Sequence, residues 1–258
     1  MDLQLRLALD AFSPITLEQL NAKAAMLERL DNKYIIPADR FRPALMAFAD
    51  HFDALEMGMQ RAFTYDTTYF DDPTLRAYFD HHQGRRKRCK VRVRDYVDAG
   101  LRYLEVKLKD TRGATVKKRL KLSRQVQGLD GAALEFIETC HRDLYGEAFA
   151  RPLAPVISME YRRITLVARE GGERMTIDTG VQFRAPRAER AVREDMVIVE
   201  TKSARGNGIA DKILRGLHLH PTDRVSKYCI GMAATGQVDR RNRFLPALRR
   251  LDLLAQGV

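Results

Sequence analysis

Polar and apolar residues alternate with a period of two through much of this chain, most plainly in KRCKVRVRDY, residues 87–96. Successive side chains of a strand point to opposite faces, so Arg88, Lys90, Arg92 and Arg94 would share one face and Cys89, Val91 and Val93 the other. In RYLEVKLKD, Tyr103, Glu105, Lys107 and Lys109 oppose Leu104, Val106 and Leu108. In TVKKRLKL, Lys117, Arg119 and Lys121 oppose Val116, Lys118, Leu120 and Leu122. The pattern recurs for Arg174, Thr176 and Asp178, for Ile198, Glu200 and Lys202, and for Arg29, Asp31 and Lys33.

These segments predict strands over 87–96, 101–109 and 115–123, joined by turns at DAG and DTRGA. DNKYIIP, RAFTYDTTYFDD (ending at Asp71-Asp72-Pro73), APVISMEYRRITLVARE with RMTIDTGVQF, and MVIVETKS read as further strands. Thr16 with Gln19 forms a capping-box pattern ahead of Leu17, Leu20, Ala24 and Leu27, which predicts a helix over 16–28. ADRFRPALMAFADHF reads as a second helix, and a third is expected over 130–145, capped by Asp130 and closed by Gly146. Residues 184–195 read as irregular. The end of the chain reads as helical, with TDRVSKYCIGMAA capped by Thr222 and a basic amphipathic surface tail running through Leu254. No repeat or clear linker divides the 258 residues, so a single domain is expected.

Composition changes this picture in one respect. Forty-five Lys and Arg against 34 Asp and Glu give a net charge of +11, which points to an anionic partner or simply to a solvated basic surface. No apolar run reaches the roughly 20 residues of a membrane span. The N-terminus lacks the features of a signal peptide, and the odd, scattered Cys89, Cys140 and Cys229 suit a reducing, cytoplasmic setting with free thiols.

Many strands, each with one cationic and one apolar face, leave two arrangements open. The sheet is either open with a broad basic face, or closed around a charged lumen with helices outside. Glu105 and Glu200 sit among the lysines, each two residues before one on its own face. Carboxylates repel phosphate and so argue against a nucleic-acid surface. They fit either simple ion pairs with Lys107 and Lys202, or a Mg²⁺ or Mn²⁺ ion shared with a polyphosphate.

The order LDNKYIIP, TTYFDDPTLRAYFD, KVRVRDY, YLEVKLK, VKKR, MEYRRITL, RMTIDTG, VIVETKS and VSKYCIGM, from Arg29 to Met232, resembles the VTC domain. That family is the polyphosphate-polymerase branch of the triphosphate tunnel metalloenzymes, relatives of the CYTH group. The resemblance implies an α+β fold: an eight-stranded antiparallel β tunnel, closed as a barrel around a basic lumen, with helices packed outside. A helical segment over 1–28 and a helical tail over 233–258 would flank a tunnel core at 29–232. It implies phosphate-handling roles for Lys33, Arg92, Arg94, Lys107, Lys117, Arg163, Arg174 and Lys227, and a divalent metal at Glu200, with Glu105 as a second ligand. Arg163 is preferred to Arg162 on the family's Tyr-x-Arg spacing from Tyr161. Lys109, Arg119, Lys202 and Asp31, on the same faces, are expected as further substrate contacts.

Asp31 stands where many relatives carry the longer Glu, and His81 or His82 falls in the segment where the eukaryotic polymerases carry an extra tunnel arginine. The expected activity is metal-dependent phosphoryl transfer on ATP, inorganic triphosphate or polyphosphate, with Mn²⁺ or Mg²⁺. Chain growth gives a polymerase, attack by water a triphosphatase, and binding alone a polyphosphate sensor or carrier. Other motifs read more simply: His81-His82 and His218-x-His220 as solvated histidines, Gly206-x-Gly208 as a loop and helix entry without a P-loop's lysine, Cys229 as core.

Overall fold

In the computed structural model, residues 7–23, 30–110, 114–125 and 128–254 are described. Ala24, Leu27 and Arg29, and the centre of the 110–114 turn, lie outside them. The elements in chain order are β1 (Ser13–Ile15), α1 (Leu17–Lys23), β2 (Leu30–Pro37), α2 (Ala38–Phe48), β3 (Phe52–Leu55), β4 (Ala62–Asp71) and α3 (Arg76–Gln83). There follow β5 (Arg88–Tyr96), β6 (Leu101–Lys109), β7 (Thr115–Leu122), α4 (Gly131–Tyr145), β8 (Ala154–Ala168) and β9 (Arg174–Ala185). The last are β10 (Ala188–Ala191), β11 (Met196–Ser203), α5 (Ile209–Gly216), α6 (Lys227–Ala234) and α7 (Leu245–Arg250).

Eight antiparallel strands form one continuous path, β2-β11-β9-β8-β4-β5-β6-β7. Among the described residues β7 does not pair with β2, so the expected barrel is not closed by hydrogen bonds. The sheet nevertheless curls: the charge of Lys107 on β6 feels Glu200, Lys33 and Asp31 from the opposite end of the path. Strand registers place Lys33, Glu200, Asp178, Arg163, Tyr161, Thr67, Arg92, Arg94, Glu105 and Lys117 on one face, hereafter the inner face.

The apolar sides of the strands dictate where helices dock. α4 starts where Asp130 accepts a hydrogen bond from the Ala133 amide at 2.8 Å, and stops at Gly146, whose φ of 69° favours glycine. Its Ala133, Ile137 and Cys140, at helical spacing, bury against Val91, Val93, Leu104 and Val106. Each fully buried aliphatic side chain here contributes about 1.5–3 kcal/mol. α2 and α5 cover the outer face of β2, β11, β9 and β8 through Phe41, Leu45, Ala210 and Leu214 against Tyr34, Val199, Ile177 and Leu166.

The expectation that all helices pack outside fails for α6 and α7. Toward one end the inner face turns apolar (Ile35, Ile198, Met159, Ile157, Phe183), and these residues form one buried cluster with Ile230, Met232, Leu248 and Leu251. Gly231 permits the approach, since a Cβ there would sit 2.6 Å from Phe183 and 2.7 Å from Ile157. The C-terminal tail is therefore buried on its apolar side, through Phe244, Ala247, Leu248, Leu251 and Leu253, rather than being a free surface helix. α6 is capped by Ser226, whose hydroxyl accepts from the Cys229 amide at 3.4 Å, and not by Thr222.

Three short strands escaped the sequence reading. The second helix ends at Phe48, and Phe52–Leu55 pairs with the last residues of β8, beyond Ile164 where pairing with β4 starts. β1 runs parallel to β3. The segment expected to be irregular instead contains β10, which returns on β9 with Arg184 and Glu189 paired at 3.0 Å. No helix among the described residues is long and apolar enough to cross a membrane.

Candidate functional site

Three carboxylates organise the inner face. Glu105, only 1% exposed, lies opposite Arg92 and Arg119 in register. Its Oε2 accepts from Arg92 Nε at 2.7 Å and lies 3.7 Å from Arg94, while Oε1 accepts from Lys117 at 2.5 Å and from the Tyr96 hydroxyl at 3.3 Å. Burial pushes its pKa up, but Arg92, Arg94 and Lys117 outweigh it and hold the carboxyl well below the ordinary range. Loss of water lowers Lys117 to about 7, with Glu105 opposing that shift. The expected pair of Glu105 with Lys107 does not form. Two residues along one strand stand roughly 6–7 Å apart, and the cross-strand cations are closer.

Asp178 is the second centre. Arg163 grips it with both prongs, Nε to Oδ1 at 2.6 Å and Nη2 to Oδ2 at 2.7 Å, and Lys227 from α6 bonds to the same Oδ2. Burial raises its pKa, and Arg163 and Lys227 more than offset this, leaving it at about 2. The bidentate geometry fixes the guanidinium plane. Arg163, not its neighbour Arg162, is thus the inner-face residue; Arg162 sits opposite Thr64 and Thr179.

Glu200 is the third. Its Oε1 lies 2.8 Å from Lys202 and 3.2 Å from Lys33. Burial opposes ionisation, yet Lys202, Lys33 and Arg163 hold the carboxyl well below its usual range. Here the ion pair with the lysine two residues on does form. Asp31 is opposite Lys202, diagonal to Glu200 on the neighbouring strand. Lys107 is an exposed inner-face lysine; partial desolvation, Lys33 and Lys90 lower its pKa, with Glu200 and Asp31 opposing.

The remaining sequence candidates fall around these centres. Arg174 lies opposite Lys202 and Val167. Lys109 ends β6 opposite Arg88 and Thr115, and Arg119 is exposed with its guanidinium 5.1 Å from the Tyr103 ring. Lys109 and Arg119 make no ion pair with Glu105, Asp178 or Glu200.

Sequence reading missed the tyrosines that support the cations. Tyr69 accepts from Arg92 at 2.7 Å, Tyr161 from Arg94 at 2.8 Å, and Tyr65 stacks on Tyr161 with ring centroids 5.5 Å apart. Arg163 lies over both stacked rings, 5.1 Å and 5.2 Å from their centroids. Alternation in FTYDTTYF, not read in the sequence, is the signal that would place Tyr65 and Tyr69 on one face, while the Arg174–Thr176–Asp178 alternation held Asp178. Asp71 was also missed: it accepts from Tyr228 at 2.5 Å and from the Ala77 and Tyr78 amides, tying α6 to α3.

His218 and His220 are exposed as expected, but His81 and His82, in the last turn of α3, are not solvated. His81 accepts from Lys90 and His82 bonds to Asn242 at 2.8 Å. Cys229 is buried, as expected of a core thiol. At Gly208 the N-terminus of α5 is filled by the Glu173 carboxylate, which accepts from the Ile209 and Ala210 amides at 2.6 and 3.1 Å. The place where a P-loop would hold phosphate is therefore occupied.

Residues 28–235 match the VTC domain. The chain belongs to that family. The VTC match spans every strand from β2 to β11 and reaches through α6, so it includes all three carboxylate centres. Among solved structures this VTC chain is similar to a candidate adenylate cyclase from Bacillus halodurans (12% identity, 78% of this chain and 95% of that one, TM-score 0.47). It is similar also to a candidate adenylyl cyclase from Hippeastrum, described as having a dominant triphosphatase activity (14% identity, 81% and 97% coverage, TM-score 0.49). A conserved hypothetical protein from Pyrococcus furiosus gives 15% identity over 78% of this chain and 99% of that one, with a TM-score of 0.42. No curated protein matches.

Proposed function

We propose that this VTC domain binds the phosphate chain of ATP, inorganic triphosphate or polyphosphate on its inner face and transfers a phosphoryl group from it. One observation carries the reading. Glu105, Asp178 and Glu200 are each engaged by two or more cations, and cations still outnumber carboxylates on that face. Phosphoryl transfer asks a protein mainly for positioning and charge stabilisation. Arg92, Arg94 and Arg163 are held in advance by Glu105, Asp178 and the tyrosines, so little reorganisation accompanies the reaction. Their planar forks suit pairs of phosphate oxygens, while Lys33, Lys107 and Lys117 act as point charges along the chain.

Glu200 fits a Mg²⁺ or Mn²⁺ ion that arrives with phosphate. Such ions take one or two carboxylates plus substrate oxygens, and Asp31 stands diagonally across. Among the described residues no cluster of three or more His, Cys, Asp or Glu side chains offers a protein-only cage. Glu105 does not fit, because both its oxygens are already committed. Held at Glu200, such an ion would neutralise part of the phosphate charge. The VTC resemblance favours a phosphate chain as acceptor; water as acceptor gives a triphosphatase on the same binding face.

Incubation of the protein with ATP and Mn²⁺, following chain growth and free phosphate, tests this reading. Glu200→Ala is expected to abolish turnover while leaving metal-free tripolyphosphate binding in place. Full activity in that variant would remove Glu200 from metal binding. Tripolyphosphate binding by the wild type without any turnover would make the domain a carrier or sensor.

A further inference from the structure

With Glu105, Asp178 and Glu200 assigned, Lys90 and Lys107 are two facing cations of the inner face that none of these carboxylates pairs with directly. Lys90 lies directly opposite Lys107, which lies opposite Lys117. Like charges facing each other across strands are destabilising. Lys117 is neutralised by Glu105, but among the described residues Lys90 and Lys107 make no ion pair.

The Lys90 ammonium is instead held by neutral groups. It donates to His81 Nδ1 at 2.9 Å and Ser226 Oγ at 3.1 Å, contacts Cys229 Sγ at 3.8 Å, and stands 5.6 Å from the centre of the Tyr228 ring. Burial, reinforced by the Lys90 charge, lowers the pKa of His81 and keeps it a neutral acceptor. These contacts orient the ammonium without cancelling its charge. The thiol is the weakest of the three acceptors, so that proton is the one an anion would claim. Ser226 also caps α6, whose positive end opens at the same place. Lys90 precedes Arg92 by two residues on one face, roughly 6–7 Å along the strand.

We propose that Lys90, seated by His81 and Ser226 and facing Lys107, forms a further phosphate subsite that takes the part of an inorganic oligophosphate lying beyond the phosphate held by Arg92 and Arg94. This rests on the polyanion-binding part of the function proposed above and needs no turnover. A bound phosphate would relieve the Lys90–Lys107 repulsion, and His81 and Ser226 would act as positioning residues.

The test is calorimetric titration of the full chain with tripolyphosphate over a range of salt concentrations. For Lys90→Gln, affinity at low salt is expected to fall about tenfold or more, the loss of one charge-assisted contact. The slope of log affinity against log salt should become shallower by about one. Lys90→Arg keeps the charge and should retain most of the affinity. An unchanged dissociation constant in Lys90→Gln, or equal losses in the Gln and Arg variants, would overturn the subsite. Failure of the wild-type protein to bind tripolyphosphate would instead overturn the function on which it rests.

Discussion

Glu105→Gln is expected to lower stability by roughly 3–5 kcal/mol, the usual consequence of removing one partner from a buried ion network. The substitution keeps the shape of the side chain but strips the charge that Arg92, Arg94 and Lys117 share. Arg94, with its side chain only 6% exposed, cannot recover water in exchange. In a domain of this size such a loss corresponds to a fall in Tm on the order of 10 °C. A second effect separates charge from packing: tripolyphosphate should raise the Tm of Glu105→Gln by more than that of the wild type, because the anion replaces the missing charge. A shift within a degree of wild type, or identical ligand responses, would mean that Glu105 does not organise these cations.

Asp178→Asn is the second large effect. Asp178 joins Arg163 on β8 to Lys227 at the start of α6, so its charge fastens α6 to the sheet as well as orienting an arginine. A loss of comparable size is expected, together with faster modification of the otherwise buried thiol of Cys229 as α6 loosens. The pH dependence gives an independent check. The folded carboxyl titrates at about 2 against an ordinary 3.8, so its contribution is complete above about pH 4 and disappears as pH falls toward 2. Denaturation of the wild type between pH 4 and pH 2 should show this loss, with Glu105 and Glu200 acting in the same direction. In Asp178→Asn that limb should be shallower. An unchanged limb would mean that the Arg163–Asp178–Lys227 cluster contributes nothing to acid stability.

The strands were legible because alternation was strong and one side was apolar: β5, β6, β8, β9 and β11 begin and end within one or two residues of their predicted limits. Thr16 with Gln19, and Asp130 with Gly146, announced their helices because capping is local chemistry written within four residues or at the ends of one apolar stripe. The short β1, β3 and β10 carry no periodic signal of that length, and their pairing depends on distant strands. The burial of α6 and α7 on the inner face could not be read from their own residues. It follows from apolar positions at Ile35, Ile157, Phe183 and Ile198 that only the folded register collects.

The candidate site divides in the same way. Which residues face inward was a matter of parity and was visible in the sequence. Which carboxylate meets which cation was not, because Glu105 finds Arg92 and Lys117 across strands while Glu200 finds Lys202 along its own. Lys90 was visible as one of the four cations that share a face in KRCKVRVRDY, but its lack of a carboxylate partner emerges only from the assembled sheet.

Titration of the wild-type protein with tripolyphosphate at low and at high salt tests the central claim most directly. Saturable binding that weakens steeply as salt rises, and that Lys107→Ala reduces further, is the predicted result. No binding at low salt, or binding indifferent both to salt and to Lys107, would contradict it.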